Sequence, residues 1–173
     1  MITFAINTGC RRAEILSCTW KDNIDMERRL ITVAISKRKP GETAKYKTIP
    51  MSQKLYETLR ELSKVRSISG KVFDYDIHEV RYNWDQTCKT AKIADAHFHD
   101  CRHTFCSRLA QKGVNLYIIK ELAGHESIKT TEIYAHLCPD SLRPSVSILD
   151  DFYKKSDDSP TVESETLTEA VNS

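Results

Sequence analysis

One β-branched run, "RLITVAIS" at residues 29–36, stands in a chain whose other apolar residues recur with helical spacing. Next comes "KRKPGETAKY", which carries the turn signal Pro40-Gly41, and then "KTIPM" returns as a second strand. A single basic hairpin set among helices predicts an α+β fold, mainly α-helical with a small antiparallel β-sheet.

The helices are punctuated by caps and glycines. Residues 1–8 read as the end of an apolar helix broken by "NTG". "RRAEILSCTW" places Ala13, Leu16 and Trp20 at helical spacing, with Glu14 on another face. Residues 52–65 form an amphipathic helix capped by Ser52, "GKVF" reads as a short strand, and residues 77–93 make a further helix. "HDCRHTFCSRLAQKG" ends at Gly113 and "VNLYIIKELAGH" at Gly124. "SIKTTEIYAHL" is a short helix begun by Ser127, and "SLRPSVSILDDFYKK" is a last, partly apolar segment.

At 173 residues, with 29% charged and 40% apolar, the chain suits one compact soluble domain. No apolar run approaches the roughly 20 residues that span a bilayer, and the start lacks a signal-peptide layout, so a cytoplasmic location and no membrane partner are expected. The six cysteines form no CxxC pair and read as free, buried thiols. Net charge is +2, but residues 156–173 hold five acids and no base, so residues 1–155 carry +7. A basic body suits a polyanionic partner. The acidic, Ser/Thr-rich end is an expected disordered tail.

"HFHDCRHTFCSRLA" (97–110) concentrates three histidines, two arginines and two cysteines. On a helix of about 100° per residue, His99, His103 and Cys106 share a narrow arc, with Arg102 about 60° from His99. Phe98, Cys101, Phe105 and Leu109 form a separate apolar face. Three readings compete. His99, His103 and Cys106 have zinc-ligand spacing, but Arg102 puts a permanent cation beside them. An ordinary half-buried helix with locally satisfied histidines is the plainer alternative. The third is a phosphate site, in which Arg offers a fork for two oxygens and His a donor or proton.

Matching parts elsewhere favour the third. "TGCRRAE" puts Arg11 and Arg12 after a Thr-Gly turn at a helix start, where backbone N–H groups favour anions. His125 follows a helix-ending glycine, Tyr134 lies nine residues on, and the hairpin supplies Lys37, Arg38 and Lys39. Phosphodiester transfer needs cations to hold non-bridging oxygens, a nucleophile, a proton acceptor and a donor to the departing oxygen. Arg, Tyr, His and Lys can fill those roles without metal, cofactor or ATP.

These boxes resemble the catalytic domain of the tyrosine recombinase (phage integrase) family. "TGCRRAEIL" is similar to its Thr-Gly-Leu-Arg box, "HDCRHTF" to its His-Asp-Leu-Arg-His-Thr-Phe box, and "LAGHESIKTTEIYAH" to its Leu-Gly-His…Thr-Thr…Tyr-x-His box. The spacings agree, with twenty-three residues from Arg102 to His125 and nine to Tyr134. The resemblance covers roughly residues 1–140. It implies the DNA breaking-rejoining fold and site-specific recombination through a 3′-phosphotyrosyl intermediate. Catalytic roles would fall to Arg11, Lys37, His99, Arg102, His125 and nucleophile Tyr134, with Glu14 a structural acid. Lys39 is the alternative to Lys37. Arg12, Arg38, Lys39, His103 and Lys129 are candidate DNA contacts, while His97 and His136 are supporting or surface residues. Cys10 and Cys101 replace aliphatic residues of the family pattern and read as small core residues.

The resemblance also implies partners: double-stranded DNA, a tetrameric synapse of protomers on paired sites, and accessory DNA-bending proteins. It sets expected boundaries at 1–153 for a catalytic domain lacking the family's N-terminal core-binding domain and first helix, and 154–173 for the tail. In the family, the segment after the tyrosine docks on a neighbouring protomer, a role open to residues 141–155. Two other functions fit the same residues, namely a non-catalytic DNA-binding remnant or regulator and a type IB topoisomerase. The Gly-His…Tyr box favours the recombinase over the latter.

Overall fold

The computed structural model describes residues 1–35, 45–140 and 142–154. In chain order the elements are α1 (Ile2–Thr8), α2 (Arg12–Leu16), α3 (Trp20–Asn23), β1 (Ile24–Asp25), β2 (Leu30–Ala34), β3 (Tyr46–Pro50) and α4 (Gln53–Leu62). There follow α5 (Ile77–Ala91), α6 (Asp100–Gln111), α7 (Leu116–Ala123), α8 (Lys129–Glu132) and α9 (Leu142–Lys154). Short 3₁₀ segments cover Ser63–Val65 and Ala135–Leu137. The chain divides into two compact units, Met1–Pro139 and the stretch from Asp140 onward, of which α9 is the described element. Among the described residues no helix is long and apolar enough to cross a membrane.

The sheet is antiparallel in the order β1-β2-β3, with Ile31 opposite Ile49 and Val33 opposite Lys47. Alternation sends Ile31, Val33, Lys47 and Ile49 to the buried face, while Thr32 and Thr48 pair hydroxyls on the other. β1 adds a strand to the expected hairpin. Two residues long, it exists only through its pairing with β2. The turn residues 36–44 lie outside the described chain.

The single helix expected over 11–20 is instead two. Thr19 is extended, its hydroxyl accepts from the Asp22 amide to cap α3, and Trp20 N–H donates to the Gly70 carbonyl. Val72 N–H donates to the Cys18 carbonyl, so "GKVF" makes an isolated bridge at Thr19 and Lys71 and not a sheet strand. The helical face is corrected too: Ala13 is exposed, and Glu14 with Ile15 is buried.

Elsewhere local chemistry and structure agree. The Ser52 hydroxyl caps α4, and Asp76 with Glu79 forms a capping box on α5. Asn115 caps α7, and Gly124 closes it in the left-handed conformation. One apolar cluster centres on Phe4, Ile15, Ile31, Ile49, Leu55 and Leu59, and a second on Phe105, Cys106, Ile119 and Tyr134. Leu122 packs against both, and α1 lies against α6. All six cysteines are free, four of them buried. Trp20 is buried, and Trp84 packs edge-on against Phe98 while its indole N–H donates to the Ala96 carbonyl.

Candidate active site

Gly9, at φ 62°, turns the chain so that Arg11 begins α2. The Arg11 amide donates to Glu14 Oε2 at 2.9 Å, and its guanidinium meets Oε1 at 3.0 Å. Glu14 is 1% exposed, and its second cation is Lys47 from β3, with Nζ 3.1 Å from Oε2. Burial alone would raise the Glu14 carboxyl, but Lys47 and the Arg11 hydrogen bonds outweigh it and hold its pKa below the ordinary value. Lys47 Nζ also donates to the Ala123 carbonyl at 2.7 Å.

That carbonyl, at the end of α7, is shared. Arg102 Nη1 donates to it and to the Gly9 carbonyl, both at 2.7 Å. Three segments distant in sequence thus meet at one guanidinium. Arg102 is buried, and burial followed by the Arg11 charge lowers its pKa. Its Nη2 is fully enclosed and, among the described residues, has no hydrogen-bond partner. A buried charged donor without an acceptor is costly, and an anionic oxygen would relieve it.

His125 follows Gly124 and is buried, with Nδ1 2.8 Å from Thr131 Oγ1. Burial first, then Arg102, Arg11, Lys47 and His103, lowers its pKa to about 4, so the ring is neutral at neutral pH. His99 precedes the first turn of α6 and is exposed. Partial shielding, His103, Arg102 and Arg11 lower its pKa. The His99 and His103 rings meet edge to face at 5.1 Å. His103 Nδ1 lies 2.6 Å from the Tyr134 hydroxyl. Tyr134 is 5% exposed, and burial together with the Cys106 thiol pushes its pKa up to about 12.

Arg11, His99, Arg102, His125 and Tyr134 therefore fall within one electrostatic neighbourhood. Lys37, Arg38 and Lys39 lie outside the described residues. Arg12 stands to one side, lining a cleft of about 480 Å³ with Arg81, Trp84, His97 and His99. Lys129 and His136 are exposed. The helical-wheel grouping needs correction, because Cys106 and Arg102 point inward beside Cys101 and Phe105. Their side of α6 is enclosed by the two neighbouring helices and the Tyr134 segment. Among the described residues no three His, Cys, Asp or Glu gather as a metal site.

Two residues escaped the sequence reading. Lys47 was legible in principle, since strand alternation puts it on the same face as buried Ile49. Thr131 belongs to the Thr-Thr of the third box, but its role at His125 was not assigned and comes from the packing of α8 against the turn after α7.

Comparison with known proteins gives this arrangement a relation. The phage integrase family model matches residues 1–140. The integrase of Salmonella phage P22 is 28% identical over 170 residues, covering 88% of this chain and 42% of that protein. Tyrosine recombinase XerA of Saccharolobus solfataricus is 33% identical over 143 residues, covering 83% of this chain and 47% of the relative. The chain thus spans less than half the length of these curated relatives. Among solved structures, the catalytic domain of bacteriophage HP1 integrase superposes with a TM-score of 0.65 at 25% identity, covering 92% of this chain and 83% of that one. The Tn1549 transposon integrase in complex with transposon right end DNA gives 0.65 at 26% identity, covering 86% and 57%. With all three sequence boxes folded around one buried arginine, and the family model spanning them, the chain belongs to the phage integrase family.

Proposed function

We propose that this chain carries the strand-cleaving and strand-joining chemistry of a site-specific DNA recombinase, within residues 1–153 and without metal or ATP. The observation that carries the reading is Arg102. One of its amino groups is committed to two backbone carbonyls, and the other is buried and, among the described residues, unpartnered amid cationic neighbours. A phosphate oxygen is the natural acceptor for such a donor. The DNA-bound Tn1549 integrase supports duplex DNA as the partner.

In this reading Tyr134 attacks the scissile phosphorus, forming a 3′-phosphotyrosyl link and releasing a 5′-hydroxyl. The covalent link conserves the phosphodiester energy for rejoining. Arg11 and Arg102 hold the non-bridging oxygens. His125 is neutral; with Nδ1 engaged by the Thr131 hydroxyl, its Nε2–H is left to donate to the transition state. His99 serves in acid–base transfer, and hairpin Lys37, or Lys39 in its place, protonates the departing oxygen. Arg12, Arg38, Lys39 and Lys129 contact the DNA backbone. Assembly of four protomers on paired sites with DNA-bending proteins, in the cytoplasm, belongs to the same proposal.

A nicked suicide duplex carrying the cognate site tests it. Wild type is expected to give a covalent protein–DNA band that Tyr134→Phe abolishes. A wild-type chain that binds the duplex without forming the band would leave only a DNA-binding regulator.

A further inference from the structure

Tyr134 lies between α8 and the following 3₁₀ segment, and its hydroxyl meets the second histidine of the "HDCRHTF" box, not the one given a catalytic role. That partner is His103, one residue beyond Arg102 and four beyond His99 on α6. The His103 and Tyr134 ring centroids are 6.1 Å apart and the planes tilt by 51°, so the contact runs through nitrogen and oxygen and is not a stack. The sequence suggested His103 as a zinc-ligand candidate or a DNA contact, and not as a partner of the nucleophile.

A phenol attacks phosphorus poorly with its proton in place, and this one is held protonated by its buried setting. The proton must leave during attack, and its acceptor must already be within hydrogen-bond reach of the oxygen. At 2.6 Å, His103 Nδ1 meets that requirement. As a residue His103 is exposed among the described residues. Resting on the recombinase reading above, but moving one proton transfer from His99 to its neighbour, we propose that His103 Nδ1 accepts the Tyr134 proton during strand cleavage and returns it during rejoining.

The step balances. The Tyr134 O–H bond breaks toward His103 Nδ1 as the tyrosine oxygen bonds to phosphorus. The bond from phosphorus to the 5′ oxygen breaks, its electron pair stays on that oxygen, and a proton from the hairpin lysine completes the 5′-hydroxyl. Rejoining reverses each transfer. Among the described residues, His103 touches the His99 ring on its own helix and the Tyr134 hydroxyl, and its charge also acts on His125.

The test uses the full chain and the nicked suicide duplex. His103→Asn keeps a polar group near the hydroxyl but cannot carry the proton, and should slow covalent-band formation about 10²–10⁴-fold. His103→Ala should slow it as much and recover on addition of free imidazole, which a purely structural role would not allow. Urea unfolding midpoints of both variants check that the fold persists. On a substrate with sulfur as the bridging 5′ atom, which leaves without a proton, Lys37→Ala should recover while His103→Asn stays slow. ¹⁵N-histidine spectra of wild type should show His103 protonated on Nε2. Wild-type rates from His103→Asn, or a proton resident on Nδ1, would overturn this inference alone. A wild-type chain without any covalent band would overturn the recombinase reading and this inference together.

Discussion

Glu14 shows how a single side chain can organise a site without taking part in its chemistry. Its carboxylate is enclosed, and its partners are Arg11 from its own turn and Lys47 from the sheet. Removing the charge leaves buried Lys47 without its carboxylate and Arg11, which is partly exposed, without its ion pair. Glu14→Gln is expected to cost about 3–5 kcal/mol in urea unfolding. Lys47→Met should cost less, because Arg11 still pairs with the carboxylate; equal losses would contradict this division. His125 makes a second prediction. Its folded pKa of about 4 lies below the ordinary histidine value of 6.5, so between those pH values the unfolded chain binds more protons. Stability should therefore fall as pH drops from 6.5 toward 4. His99 is shifted the same way, and Glu14 adds its loss at lower pH, as its depressed carboxyl protonates. Urea midpoints measured from pH 7.5 to 4 should show the decline, and His125→Gln should flatten its upper part. An unchanged slope in the variant would remove His125 as the cause.

At the scale of elements, the helix ends set the site's geometry. Gly9 is left-handed, and a Cβ there would sit 2.5 Å from Phe105 Cδ1 on α6. Gly70 is also left-handed, at φ 72°, but a Cβ there would meet open space. Gly9→Ala should cost about 2–4 kcal/mol, combining backbone strain with overpacking, and Gly70→Ala about 1 kcal/mol. Comparable urea midpoints for the two variants would show that the Phe105 contact yields at no cost. The hairpin strands, the caps of α4 and the glycine closing α7 were legible because their causes are local. The break between α2 and α3 was not. Thr19 is held extended by pairing with a segment some fifty residues later, and no local pattern announces that partner. β1 was hidden for another reason: two residues carry no alternation of their own, and they form a strand only by pairing with the nearby β2.

For the whole molecule, the two apolar clusters of Met1–Pro139 are joined through Leu122 and the contact of α1 with α6. A chain ending at Pro139 is expected to fold alone and unfold in one cooperative transition, by both near-ultraviolet and far-ultraviolet circular dichroism. Separate transitions for the two signals would show that the clusters are not one core. Fold class, most helix boundaries and the candidacy of Arg11, His99, Arg102, His125 and Tyr134 can be read from the chain alone, because periodicity, capping and ordered motifs are written in neighbouring residues. Which of these groups meet is set by the three-dimensional fold. It alone placed Lys47 beside Glu14, two arginine contacts on the Gly9 and Ala123 carbonyls, and His103 on the Tyr134 hydroxyl. Those pairings depend on burial and on close approach between residues 21 to 93 positions apart, and neither is encoded in any local window.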